Sequence, residues 1–122
     1  AEEGREEHYE ADPRTASVEA YLSMLVPTDW GRMHLNERRM YFREYDESKV
    51  DPEDFTLEKM DFVSTTQIAT DVFELEIGRV TAKESREIAA IMSKVQGWQR
   101  AAGRRAVMGI GRTRGFERIV NE

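Results

Sequence analysis

The 122-residue sequence contains no cysteine and only two histidines. Without cysteine the chain has no disulfide, no thiolate nucleophile and no thiolate ligand for zinc. The histidines, His8 and His34, lie far apart and belong to no ligand pattern, so we expect no metal site. No Ser–His–Asp arrangement is plausible either, which leaves nucleophilic catalysis without candidate residues. The sequence therefore predicts a chain that is not an enzyme and holds no cofactor.

Long apolar runs and nucleotide or calcium loops are also missing. No apolar run approaches the ~20 residues that span a bilayer, and no charged-then-apolar leader is present, so we expect no membrane partner. Gly109, Gly111 and Gly115 have neither the dinucleotide nor the P-loop spacing, and no helix follows them. The acidic segment 46–54 lacks the central glycine and terminal glutamate of a calcium loop. We therefore interpret the three glycines as turn residues and the segment 46–54 as a solvated loop.

Charge is distributed unevenly along the chain, whose net charge is −6. Residues 1–62 carry 17 acidic and 8 basic side chains, whereas residues 63–122 carry 7 acidic and 10 basic ones. Segment 94–118 contains seven basic residues and one acidic residue. Exposed charges are screened beyond roughly 8 Å at physiological salt, so this local basic segment can attract a phosphate despite the acidic first half.

The length predicts one domain at 15–122, and the composition of residues 1–14 predicts an acidic, flexible connector before it. A first helix starts near Thr15 and is stopped by Pro27, and a second helix occupies the segment around NERRMYFREY. The apolar stripe of the first helix consists of Val18, Tyr21, Leu22 and Leu25. In the second helix we expect Leu35, Met40 and Tyr41 to face inward and Arg38, Arg39 and Arg43 to face solvent. Residues 46–54 form a loop.

Two capping boxes predict a closely spaced helix pair after a brief strand at 60–63. Ser64 and Gln67 open a helix that Gly78 ends, and Thr81 and Glu84 open a second helix that runs to residue 96. The inward positions are Ile68, Val72, Phe73 and Leu75 in the first helix and Ile88, Ile91, Met92 and Val95 in the second. The short connection is typical of a helix-turn-helix.

Beyond the helix pair the periodicity indicates a basic β-hairpin. Strands at 107–111 and 116–120 would be joined across 112–114, with Arg112 and Arg114 at the tip and Arg104 and Arg105 at the base. Trp30 and Trp98 are predicted core residues. The predicted fold class is therefore α+β and mostly helical, a winged helix-turn-helix with two preceding N-terminal helices and a small hairpin wing.

This arrangement predicts a DNA-binding surface. The second helix of the pair exposes Lys83, Arg86 and Lys94, which would lie in or beside a groove. The predicted wing arginines would grip phosphates. Each feature also has an ordinary interpretation: a solvated helix face, and an edge hairpin that carries charge to prevent sheet-to-sheet pairing.

Several segments resemble the C-terminal end of the phage-type virulence-associated protein E family. The most specific ones are "LVPTDW…LNERR", "REIAAIMSKVQGW" and "GRTRGFERI", and the resemblance covers nearly the whole chain from about residue 7. Members of that family are phage and prophage proteins with a P-loop helicase-like ATPase core. The resemblance implies an upstream ATPase domain in the same polypeptide, a cytoplasmic location in a bacterial host and a role in replication. No position here matches the family's Walker residues.

The sequence leaves other functions open. The chain could be a protein-interaction module that docks on the ATPase core or on a replication partner, because a fold alone does not settle function. An exposed apolar patch around Trp30, Met33 and Phe42 would favour that alternative. A stand-alone phage repressor would require a dimer with two wings facing one way.

Overall fold

The computed structural model describes residues 12–120, and the predicted acidic connector lies outside them except for its last three positions. These residues form an α+β fold with four α-helices and three small antiparallel sheets. The helices are α1 (Arg14–Ser23), α2 (Leu35–Glu44), α3 (Thr65–Gln67) and α4 (Ala82–Met92). Short 3-10 turns lie at Trp30–Arg32, Glu47–Lys49 and Ile77–Arg79. Among the helices of residues 12–120, none has the length and apolar character that crossing a membrane requires.

Seven short strands make up the sheets. They are β1 (Leu25–Pro27), β2 (Leu57–Lys59), β3 (Phe62–Ser64), β4 (Trp98–Arg100), β5 (Arg105–Val107), β6 (Gly111–Thr113) and β7 (Gly115–Arg118). The strand pairs β1–β2 and β5–β6 form two-stranded sheets, and the third sheet has the order β3-β7-β4. In that sheet Val63 lies opposite Phe116, and Gln99 lies opposite Glu117. The last strand of the chain therefore pairs with one strand from each side of the helix pair.

One hydrophobic core joins the helices to the sheets. It contains the predicted α1 stripe Val18, Tyr21 and Leu22 together with Ile88, Ile91 and Met92 of α4. Trp30 and Trp98 are 5% and 8% exposed, which confirms their predicted place in the core. The apolar periodicity of α1 and α4 thus identified the buried faces of both helices, because a face of a helix repeats every three to four residues.

The first helix ends earlier than predicted. α1 stops at Ser23, and Leu25 lies in β1 rather than on the helix. Proline is tolerated in a two-stranded edge pairing, so Pro27 ends β1 instead of ending the helix. At the start of α1 the Asp12 carboxylate accepts bonds from the backbone and the guanidinium of Arg14, at 2.9 Å and 2.6 Å. These bonds lower the pKa of Asp12 to about 2.

The second helix lies where it was predicted, but its faces differ from the prediction. Arg38 is fully buried, whereas Met40 is 50% exposed. Arg38 Nε donates to Asp71 Oδ2 at 2.8 Å, and the Tyr21 hydroxyl donates to the same oxygen at 2.6 Å. Burial and the Asp71 carboxylate raise the pKa of Tyr21 well above its usual range. The prediction that Arg38 faces solvent was wrong because its partner lies 33 residues further along the chain.

The predicted helix at 64–78 is much shorter in the structure. Its capping box is confirmed, since Ser64 and Gln67 exchange two hydrogen bonds of 2.9 Å. After Gln67 the chain widens into a π-helical turn (Ile68–Val72) and leaves the helix, with Glu74 at a φ of 58°. Gly78 lies in a separate 3-10 turn, so its predicted role as the helix terminator was wrong. The Arg39 guanidinium donates hydrogen bonds to the backbone carbonyls of Thr70 and Leu75, where the chain leaves this helix.

Candidate nucleic-acid interface

The solvent face of α4 carries three predicted DNA-binding residues. Thr81 and Glu84 start the helix with a 3.1 Å bond from the Thr81 amide to the Glu84 carboxylate, and the opposite face is buried. Lys83 and Arg86 are exposed on the helix, and Lys94 is exposed just beyond its end. Within residues 12–120, none of the three forms an ion pair, whereas the neighbouring Glu87 contacts Arg14 at 3.4 Å. The charge of α4 itself is mixed, because Glu84 and Glu87 lie on the same helix as Lys83 and Arg86.

The second basic feature is the segment between β4 and β7, residues 101–114, which we call the basic hairpin. It contains four arginines and no acidic residue. Its turn lies at 108–110, between β5 and β6, and Gly109 and Gly111 take φ values of 85° and 94°. The predicted tip at 112–114 was therefore wrong. The strand predicted at 107–111 is instead the end of β5, this turn and the first residue of β6.

The hairpin register separates the arginines between two faces. Arg105 lies opposite Thr113, and Arg112 lies opposite Ala106. Since successive residues of a strand point to opposite faces and paired residues share a face, Arg105 and Arg112 lie on opposite faces. The four arginines predicted to grip phosphates therefore do not all lie on one side of the hairpin. Arg104 and Arg114 flank the strands, and both are exposed.

Arg105 is engaged by the body of the domain. Arg105 Nη1 lies 3.3 Å from Asp61 Oδ1, and the guanidinium carbon Cζ of Arg105 lies 5.1 Å from the centroid of the Phe62 ring. Arg104, Arg112 and Arg114 form no ion pair with any of residues 12–120. Of the four predicted wing contacts, three remain available to a ligand and one is already paired.

The root of the basic hairpin is attached to the three-stranded sheet. The Ala101 amide donates to the Gly115 carbonyl at 2.9 Å, so the ladder between β4 and β7 continues into the hairpin. Gly115 allows β7 to approach β3 closely, because a Cβ atom there would lie 2.2 Å from the Val63 carbonyl oxygen. α4, β4 and the hairpin follow one another directly in the chain. The helix face and the hairpin are therefore consecutive parts of one structural unit.

Two other arginines of the basic segment serve the fold. Arg118 donates to the Met60 and Leu22 carbonyls and stacks on Trp98, and burial lowers its pKa. Arg100 is exposed but lies over the Phe116 ring at 5.4 Å. Arg79, in the turn before α4, is an exposed cation that sequence analysis did not single out. Its position two residues before Thr81, where the capping box of α4 begins, is the feature of the sequence that could have identified it.

Among residues 12–120, the three side chains whose exposure would favour a protein partner do not form an exposed apolar patch. Trp30 is buried, and Met33 and Phe42 pack against the core. A different apolar groove lies along α2, with Met40 as its most exposed apolar residue. It is lined by Met33, Asn36, Glu37, Met40, Tyr41 and Glu44.

No protein-family model matches the chain, and no curated protein sequence matches it. The structure is an α+β domain in which Lys83 and Arg86 of α4 and three arginines of the basic hairpin are exposed. Within residues 12–120, no three His, Asp or Glu side chains are grouped closely enough to hold a metal ion.

Proposed function

We propose that the chain is a non-catalytic winged-helix module that binds DNA through α4 and the basic hairpin. The element order β3, α3, α4, β4, hairpin, β7 and the sheet order β3-β7-β4 support this proposal, because a winged helix has its helix pair and its wing in the same sequence. In this assignment α3 and α4 are the helix pair and residues 101–114 are the wing. This connectivity is the single observation that most supports the proposal.

The charge distribution supports DNA as the ligand. In helix-turn-helix proteins the second helix enters the major groove, and here the corresponding helix exposes Lys83 and Arg86. Arg112 and Arg114 lie on the hairpin, a segment without acidic residues that follows the helix and β4 in the chain, and an arginine there can contact a phosphate. Phosphate contacts of this kind position a protein on DNA without reading the base sequence.

The resemblance to the virulence-associated protein E family supports a second part of the proposal, which concerns the polypeptide that contains this module. We propose that it positions DNA for a helicase-like ATPase domain located upstream in the same polypeptide, in phage or prophage replication. A module that only holds the substrate needs no catalytic residue of its own, consistent with the residue inventory of the chain.

Fluorescence anisotropy with short duplex, forked and single-stranded DNA between about 50 and 200 mM salt tests the proposal. On duplex DNA, each phosphate contact releases counterions and makes the plot of log K against log salt steeper by about 0.9, so two contacts contribute about 1.8. The variant Arg112→Ala/Arg114→Ala should therefore bind more weakly, with a slope lower by about that amount. Lys49→Ala/Lys59→Ala removes the same charge from two other exposed sites and is the matched control.

The outcomes separate the alternatives. An equal loss in both double variants would show that only net charge matters, and absence of binding at the lowest salt would refute DNA contact by this chain. A slope that falls only in the arginine variant would support the hairpin as the phosphate contact. Lys83→Ala/Arg86→Ala tests the helix face in the same way.

A second candidate function is docking on the ATPase domain through the groove of α2. Half of the Met40 surface is exposed, between Glu37 and Glu44, although apolar side chains of this size are usually buried. Titration of this chain against the separately produced ATPase part of the polypeptide tests this function. Met40→Glu should abolish the association and leave DNA binding unchanged; an association that Met40→Glu does not weaken would exclude the groove.

A further inference from the structure

The basic hairpin does not project freely from the sheet, because part of it lies against the body of the domain. Val107 is only 4% exposed, and the Met108 amide donates to the Gly31 carbonyl at 2.8 Å. A cleft of about 170 Å³ separates the rest of β5 from the residues around Trp30 and Phe62. A small number of contacts therefore attach the hairpin to the domain, and the rest of β5 does not pack directly on the core.

Arg105 adds the side-chain contacts of this attachment to the backbone bond of Met108. Its Nη1 atom lies within 3.4 Å of both Asp61 carboxylate oxygens, and its guanidinium covers the Phe62 ring. Arg105 and Val107 share the face of β5 that meets the body, because they are two residues apart in one strand. The opposite face carries Arg112 beside Ala106. One arginine of the hairpin is thus turned toward the protein and another is turned away from it.

We propose that Asp61 and Arg105 are positioning residues that hold the basic hairpin against the turn at 30–32, so that the ligand meets Arg104, Arg112 and Arg114. This inference reassigns Arg105 from phosphate contact to attachment, and its DNA-binding part rests on the proposed function. The attachment itself can be measured without DNA. Failure of one proposal is therefore distinguishable from failure of the other.

Hydrogen exchange followed by NMR reports the attachment directly. Arg105→Gln, which removes both an exposed ion pair and a cation–π contact, should accelerate exchange of the Met108 amide by roughly three- to ten-fold. Asp61→Asn, which removes only the ion pair, should accelerate it by up to about five-fold. The Ile119 amide, bonded to the Gly97 carbonyl at 2.8 Å, should exchange at an unchanged rate. Arg104→Gln is the matched control and should leave both amides unchanged. Unaltered Met108 exchange in both test variants would overturn the proposal.

DNA affinity provides the second readout. Asp61→Asn removes a negative charge, which by charge alone would strengthen DNA binding, whereas loss of the attachment weakens it. Arg105→Gln should weaken binding without changing the salt slope, while Arg112→Gln should lower the slope by about 0.9. Stronger binding by Asp61→Asn, with a lower slope for Arg105→Gln, would identify Arg105 as a phosphate contact and overturn the reassignment. If the unaltered chain binds no DNA, the proposed function fails and Met108 exchange alone decides the attachment.

Discussion

Replacing Asp71 by asparagine should be among the most destabilising single changes in this domain. The Asp71 carboxylate is 1% exposed and accepts hydrogen bonds from Tyr21 and Arg38, and Arg38 is itself fully buried. Asparagine keeps the size of the side chain but removes its charge. The Arg38 guanidinium would then remain in the core without its counter-ion.

The expected cost follows from that uncompensated charge. Breaking a buried ion pair by removing one partner costs about 3–5 kcal/mol, a large part of the 5–15 kcal/mol that stabilises a typical domain. The exposed pair of Arg43 and Glu74, with an N–O distance of 2.7 Å, provides the contrast. Since exposed pairs contribute at most about 1 kcal/mol, Glu74→Gln should cost no more than that.

Urea unfolding monitored by tryptophan fluorescence measures both changes, because Trp30 and Trp98 are buried in the core. With a slope of about 2 kcal/mol per molar urea, Asp71→Asn should lower the midpoint by about 2 M and Glu74→Gln by less than about 0.5 M. Equal shifts for the two variants would refute the reasoning.

An apolar replacement of the whole network refines the same prediction. Buried ion pairs contribute little beyond well-packed apolar side chains, so the triple variant Tyr21→Phe/Arg38→Met/Asp71→Leu should be more stable than Asp71→Asn alone. The same urea experiment measures the difference. A triple variant less stable than the single one would mean that the network itself, and not the stranded charge, supplies the stability.

Two further predictions concern single positions. Gly115→Ala should destabilise by at least about 2 kcal/mol, because its Cβ atom would lie 2.2 Å from the Val63 carbonyl oxygen, whereas Gly103→Ala, with no atom within 4 Å of its Cβ, should be neutral within about 0.5 kcal/mol. Equal melting temperatures for these variants would contradict the close approach of the strands. By NMR titration, Asp12 should have a pKa of about 2, rising toward 3.8 in Arg14→Gln. Because this folded-state pKa is lowered, the interaction contributes stability above about pH 3.8 and loses it as the pH falls through about 2; a midpoint unchanged by Arg14→Gln would exclude the contact.

Signals within a few residues of one another predicted the local structure well. The capping box of Ser64 and Gln67 forms as expected, and the α4 stripe that includes Ile88 and Met92 is buried. Capping boxes and apolar stripes depend on residues a few positions apart in one helix, so they can be recognised in the sequence alone. The length of α3 was not predicted in the same way: the chain continues as a π-helical turn, and Asp71 in that turn contacts residues of α1 and α2 that are distant in the sequence.

The sequence by itself determined where positive charge is concentrated, that two capped helices precede it and that glycines interrupt the hairpin. Only the tertiary structure decided which arginines remain available. Arg38 is buried beside Asp71, Arg118 caps carbonyl groups of Met60 and Leu22, and Arg105 pairs with Asp61. Each partner lies more than 30 residues away along the chain. Local periodicity reports which face of an element is polar, but the carboxylates, carbonyls and rings that meet an arginine are set by how distant elements pack.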